Sequence, residues 1–206
     1  MLRANLVIAI VVLVTSVHAR AAQLDCGTLD NGFGPFDYRT ATDKQRATVE
    51  AYHFTENVAQ LRKGQSTARI CGHIGYTLRA FPNHPRALAA MAELASREKT
   101  VQPRGSEYTL ACWFERAIRF RPDDGGVRVV YGISLLKNGH REEAIKQLHT
   151  AEKLMPDNAN VNYNLGLAYF QAGDHDKSLL HAKRAYELGF PLPGLRNMLT
   201  KAGKWK

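Results

Sequence analysis

The chain has 206 residues, 45% hydrophobic and 23% charged, with a formal net charge of +9. That balance is ordinary for a soluble protein with enough apolar material for one good core, so a coreless chain is excluded and one domain is the default. The positive charge favours anionic partners, and the export argued next removes nucleic acid from among them.

Arg3 precedes an unbroken apolar run from Leu6 to Val14, and Ala19 and Ala21 form an A-x-A site before Ala22. This pattern predicts a cleaved secretory signal peptide at 1–21. The stretch from Ala4 to Val17 has 14 residues, short of the roughly 20 that cross a bilayer, so an uncleaved inner-membrane anchor is the lesser alternative. Gln23, Leu24 and Asp25 before Cys26 do not suit a lipoprotein signal. Cleavage removes two of the 28 basic residues and none of the 19 acidic ones, leaving +7 and a periplasmic protein open to weak association with anionic envelope components.

Residues 22–53 read as an irregular leader with room for a first helix, its Phe33, Phe36 and Tyr38 packing onto the helices that follow. The glycines of DCGTLDNGFGPFDYR lack the third glycine and preceding strand of a dinucleotide fingerprint. Residues 54–84 form a short, degenerate helix pair ending at Pro82. Residues 85–124 form a second pair, whose 98–106 stretch, with Pro103 and Gly105, marks an enlarged inner turn. Residues 125–158 and 159–192 form two regular pairs with tight turns at Asn138-Gly139-His140 and Ala172-Gly173-Asp174, Asp174 capping the next helix. In 193–206, Leu195, Met198, Leu199 and Ala202 recur at i, i+3, i+4 and i+7 and make an amphipathic capping helix.

Gly132 and Gly166, Ala151 and Ala185, and Pro122 and Pro156 are each 34 residues apart. With Asn162, Leu165, Gly166, Tyr169, Ser178, Ala182 and Phe190-Pro191 in one unit, and Arg128, Tyr131, Gly132, Leu135, Ala144, Leu148 and Pro156 in the other, the chain resembles the tetratricopeptide repeat (TPR) family. Both units depart from the pattern at its tryptophan. It is also similar to small exported TPR proteins of Gram-negative bacteria. The resemblance implies an all-α, right-handed superhelical stack of about three helix-turn-helix repeats with a C-terminal capping helix. It further implies a protein or peptide partner held in a concave groove; the residues offer no catalytic constellation, so neither enzymatic activity nor a cofactor is expected.

The residues expected on or near that groove are Val130, Ile133, Lys137, Tyr163, Asn164, Leu167, Phe170 and Gln171. Two other fates stay open for them: burial within a tightly wound stack, or coverage by the leader. Asn164 matches the asparagine of the family's carboxylate clamp, but Val129 and Ile133 stand where the preceding repeat would offer lysine and asparagine. An extended apolar or mixed segment, or a partner helix, is therefore the expected ligand.

Other chemistry is thin. There is no H-E-x-x-H and no paired C-x-x-C, so no metal site is expected. Cys71-Gly72-His73 lacks an orienting acid, and Asp174-His175-Asp176 reads as a helix start. Among three cysteines at most one internal disulfide can form; Cys26–Cys71 is the preferred pair, since it ties the leader to a helix, and Cys112 reads as a buried thiol. The sequence thus predicts an exported scaffold or assembly factor, the alternative being an envelope enzyme or carbohydrate-binding protein that uses the leader and the basic surface. It leaves the oligomeric state open.

Overall fold

The structure is a computed structural model that describes residues 25–62, 64 and 69–205; the predicted signal peptide lies outside them. Among the described residues there are ten helices and no strand: α1 (Asp43–His53), α2 (Glu56–Ala59), α3 (Ile70–Ala80), α4 (Pro85–Glu98), α5 (Leu110–Phe120), α6 (Gly125–Lys137), α7 (Arg141–Leu154), α8 (Ala159–Gln171), α9 (His175–Glu187) and α10 (Gly194–Lys201). They build an all-α superhelical stack of helix pairs.

The recurring residues explain the pairing. A Cβ on Gly132 would lie 2.6 Å from Leu148 Cγ of α7, and one on Gly166 would lie 2.5 Å from Leu195 Cδ2 of α10 and 3.3 Å from the carbonyl oxygen of Ser178 in α9. Only glycine admits such close approach. Ser178 tightens the second crossing by donating its hydroxyl to the Gly166 carbonyl at 2.8 Å. The two inner turns share one geometry, with Gly139 and Gly173 both at φ +81°. Polar caps start the helices: Asp124 accepts from Val127 N–H, Asn158 from Asn160 and Val161 N–H, and Asp174 from Lys177 N–H. Apolar cores run along the stack, from Ile74, Leu88, Met91, Trp113 and Phe114 through Leu148, Val161 and Leu165 to Leu195 and Leu199.

The N-terminal part is less regular. FTENVAQLRKG yields only the single turn α2, because the chain turns away after Ala59 and Leu61 takes φ +55°. Helix α3 packs on α1 and α4 more than on α2. Phe33, Phe36 and Tyr38 of the leader pack on Val49, Ala80 and Phe81.

The leader is held along a strap. Asn83, almost wholly buried, accepts from Tyr38 N–H and donates to Asp37 Oδ1 at 2.7 Å and Asp124 Oδ2 at 2.8 Å, joining the leader to the turns before α4 and α6. Arg39 and Arg121 pair with Asp37 and Asp123, and the hydrogen-bonded Arg39 holds the Asp37 carboxyl well below the usual carboxylate range. The disulfide corrects the sequence expectation: Cys26 bonds to Cys112, not Cys71. Cys112, Arg116 and Arg119 occupy i, i+4 and i+7, one stripe of α5. Arg116 donates to the Cys26 and Thr28 carbonyls, and Arg119 to that of Gly27. Cys71, on α3, points into the core and is a free, buried thiol whose pKa is raised by that burial.

Candidate protein-interaction site

The groove predicted from sequence divides in two. On α6, Val130 and Ile133 are half-buried and Lys137 is exposed. Together with Ala89, Ala92 and Ser96 of α4 they line a small cleft of about 100 Å³, edged by Glu93 Oε2 at 3.7 Å from Lys137 Nζ. This part faces outward and is apolar at its floor.

On α8 most of the predicted residues are already engaged. Tyr163 stacks on Phe190 with ring centroids 3.9 Å apart, and its hydroxyl accepts from Leu195 N–H at 3.2 Å. Its own proton is held more tightly than usual, because burial raises the phenol pKa. Leu167 and Phe170 pack against the cluster of Ala182, Leu195 and Leu199. Helix α10 therefore lies on the face that sequence reasoning assigned to a ligand. Asn164 is turned back on its own helix, donating to the Asn160 carbonyl and Oδ1 at 2.8 and 2.9 Å. Only Gln171 of this group is exposed. The signal for the coverage was present in Leu195 and Leu199, but not where the helix bearing them docks.

Sequence reasoning missed the α4 wall and a larger cavity beside it. The wall is made of small residues, Ala89 and Ala92 of α4, across the cleft from Val130 and Ile133. The cavity holds about 650 Å³ and shares Ser96, Ser134 and Asn138 with the cleft.

A polar cluster sits between α7, α8 and α9. His149 is within 2.7 Å of the Tyr169 hydroxyl and 3.0 Å of Glu152, while His181 lies 3.3 Å from Asn162 Oδ1. Burial pushes the His181 pKa down. These contacts bind three helices together. Among the described residues no group of three or more His, Cys, Asp or Glu side chains is placed to hold a metal, and no helix is long and apolar enough to cross a membrane.

Two successive helix pairs with glycine crossings 34 residues apart coincide with a match of residues 132–173 to the TPR repeat model. The chain carries a TPR repeat. Its curated relatives include the Mus musculus DnaJ homolog subfamily C member 3, 31% identical over 85 residues that make up 41% of this chain and 17% of that protein. The Rattus norvegicus counterpart is 30% identical over 84 residues, again 17% of its length. The chain thus spans less than a fifth of the length of these relatives. Among solved structures, Pseudomonas aeruginosa pilF superposes with a TM-score of 0.54 at 20% identity, covering 79% of this chain and 69% of that one. MamA superposes with a TM-score of 0.49 at 16% identity, covering 66% and 78%. At such identity the pilF likeness concerns the fold alone. TPR repeats are generally protein-interaction modules, and of the predicted groove residues those on α6 line an open cleft with α4.

Proposed function

We propose that this protein is an exported TPR interaction module that works in the periplasm as a scaffold or assembly factor, and that it binds an extended apolar segment or a helix of a partner protein along the α4–α6 cleft. The observation that carries the reading is the cleft itself. Val130 and Ile133 offer apolar surface beside the small side chains Ala89 and Ala92, and Lys137 and Glu93 at the edge can orient a polar point of the ligand. A helical ligand would present its anchors at i, i+3 and i+4. The arrangement offers binding surface and no assembled catalytic group. Export is supported by Arg3, the Leu6–Val14 run and the A-x-A site.

The test places a photo-crosslinking residue at Ile133 and, as control, at Tyr52, which is exposed on α1 away from the cleft. The expected result is one periplasmic protein cross-linked from position 133 and lost on Val130→Asp substitution, with no product from position 52. Equal products from both positions would remove the cleft from consideration, and recovery of a glycan or a processed substrate instead would favour a carbohydrate-binding or enzymatic role. Intact mass of the protein in the periplasmic fraction should place its first residue near Ala22.

A further inference from the structure

The cavity of about 650 Å³ arises where one repeat departs from the others. The second helices of the regular pairs, α7 and α9, have 14 and 13 residues, whereas α5 has 11. The missing two to three residues are most of a turn, about 3 to 4.5 Å of helix, and they are missing at the end of α5 that follows the enlarged inner turn. The space that turn would fill is walled by Ala95 of α4, Leu110 and Ala111 of α5, and Tyr131 and Leu135 of α6, with Val101 of the inserted loop at its mouth. Val101 is 76% exposed although apolar, on a loop that leaves it beside this opening.

The volume selects the kind of occupant. Pockets of about 300 to 1,000 Å³ take whole small molecules, and a single anchoring side chain would leave most of this one empty. The lining selects the chemistry. It is mainly apolar, with a few hydroxyl and amide groups, and no carboxylate contributes to it. The cationic side chain among the lining residues is Lys99, exposed and without an ion pair among the described residues, with His140 the other nitrogen base. There is no arginine there to grip a phosphate. An apolar body with one anionic end fits this distribution.

We propose that this pocket holds a free long-chain carboxylate, its acyl chain between α4, α5 and α6 and its carboxylate at Lys99. The site is separate from the partner cleft, sharing with it only the wall of Ser96, Ser134 and Asn138. Failure of the cross-linking from Ile133 would therefore leave this site standing.

Calorimetric titration of the periplasmic protein with octanoate, decanoate and dodecanoate, each below its micelle concentration, tests the proposal. Each methylene moved from water to an apolar wall is worth about a fourfold gain in affinity, so each two-carbon step should tighten binding roughly fifteenfold at one ligand per chain. Dodecyltrimethylammonium, with the same chain and the opposite charge, should bind at least about tenfold more weakly than dodecanoate. Ala111→Trp, which places an indole in the path of the acyl chain, should weaken dodecanoate binding at least about tenfold with the helical circular dichroism intact. Should that variant fail to fold, Val101→Glu, at an exposed position, should weaken dodecanoate at least about tenfold. Absence of saturable binding, affinity independent of chain length, equal binding of the cation, or undiminished binding by a folded variant would each overturn the assignment.

Discussion

Lowering the pH should loosen the start of α4, because His84 is both buried and the cap of that helix. Its Nδ1 accepts the Ala87 amide at 3.3 Å, so the neutral ring carries its proton on Nε2, and a second proton can be added only by giving up the cap. Tyr38 stacks on the ring with centroids 4.0 Å apart, Phe54 meets it edge-on, and Glu50 Oε1 lies 3.3 Å from Nε2. Burial outweighs the attraction of Glu50 and depresses the His84 pKa from 6.5 to about 4. A histidine depressed in this way contributes its full stability above pH 6.5. As the pH falls further, the unfolded chain takes up a proton that the fold refuses, and stability declines until about pH 4. One pKa unit corresponds to 1.36 kcal/mol, so the full interval is worth about 3 kcal/mol. His53 and His181, also pushed down by burial, add losses of the same sign. Guanidinium unfolding at about pH 7 and about pH 4.5 would compare the wild type with His84→Asn, since asparagine caps helices without titrating. The variant starts from lower stability because it loses the ring stacking, but the quantity of interest is the change between the two pH values. The wild type should lose about 2.5 kcal/mol more than the variant over that interval. Equal losses in the two proteins would refute the assignment of this acid sensitivity to His84.

Three further outcomes are expected. Gly166→Ala should destabilise by about 1 to 3 kcal/mol in chemical unfolding, since its Cβ meets Leu195 and the Ser178 carbonyl, whereas Gly72→Ala, with nothing within 4 Å, should be neutral or stabilising. Replacing Cys26 and Cys112 together by serine should cost about 4.5 kcal/mol from the 86-residue separation alone, and adding reductant to the wild type should reproduce the loss by calorimetry, while Cys71→Ser should leave the disulfide intact by mass spectrometry. Phe170→Ser should lower thermal stability by about 1 to 3 kcal/mol, because the half-buried ring packs with α10, and it should leave cross-linking from position 133 unchanged.

What could be read from the residues was what repeats. Gly132 and Gly166, the turns at Gly139 and Gly173 and the cap at Asp174 act within a few residues or within one helix pair, so spacing alone located them. What depended on one element meeting another far along the chain was not legible. Tyr163 and Phe170 present an apolar face in either environment, and only the docking of α10 decides what covers it. The cysteine pairing failed for a related reason: hydrophobic neighbours made Cys112 look like core, while the stripe it forms with Arg116 and Arg119 marked α5 as the leader's seat. The α4 wall of the cleft was hidden because its small residues, Ala89 and Ala92, carry no signal except opposite Val130 and Ile133.

The strap that joins the leader to α5 and to the turns before α4 and α6 gives the molecule two mechanical regimes. Bending between the first helix pairs must shear the Asp37–Asn83–Asp124 bonds and strain a covalent link, so that half behaves as a stiff beam. From α6 to α9 the pairs are held by side-chain packing and a few polar contacts, which can slide by small amounts, and curvature changes will concentrate there as in a spring clamped at one end. A partner seated in the α4–α6 cleft lies at the junction, where a small change in curvature moves one wall of its site against a fixed one.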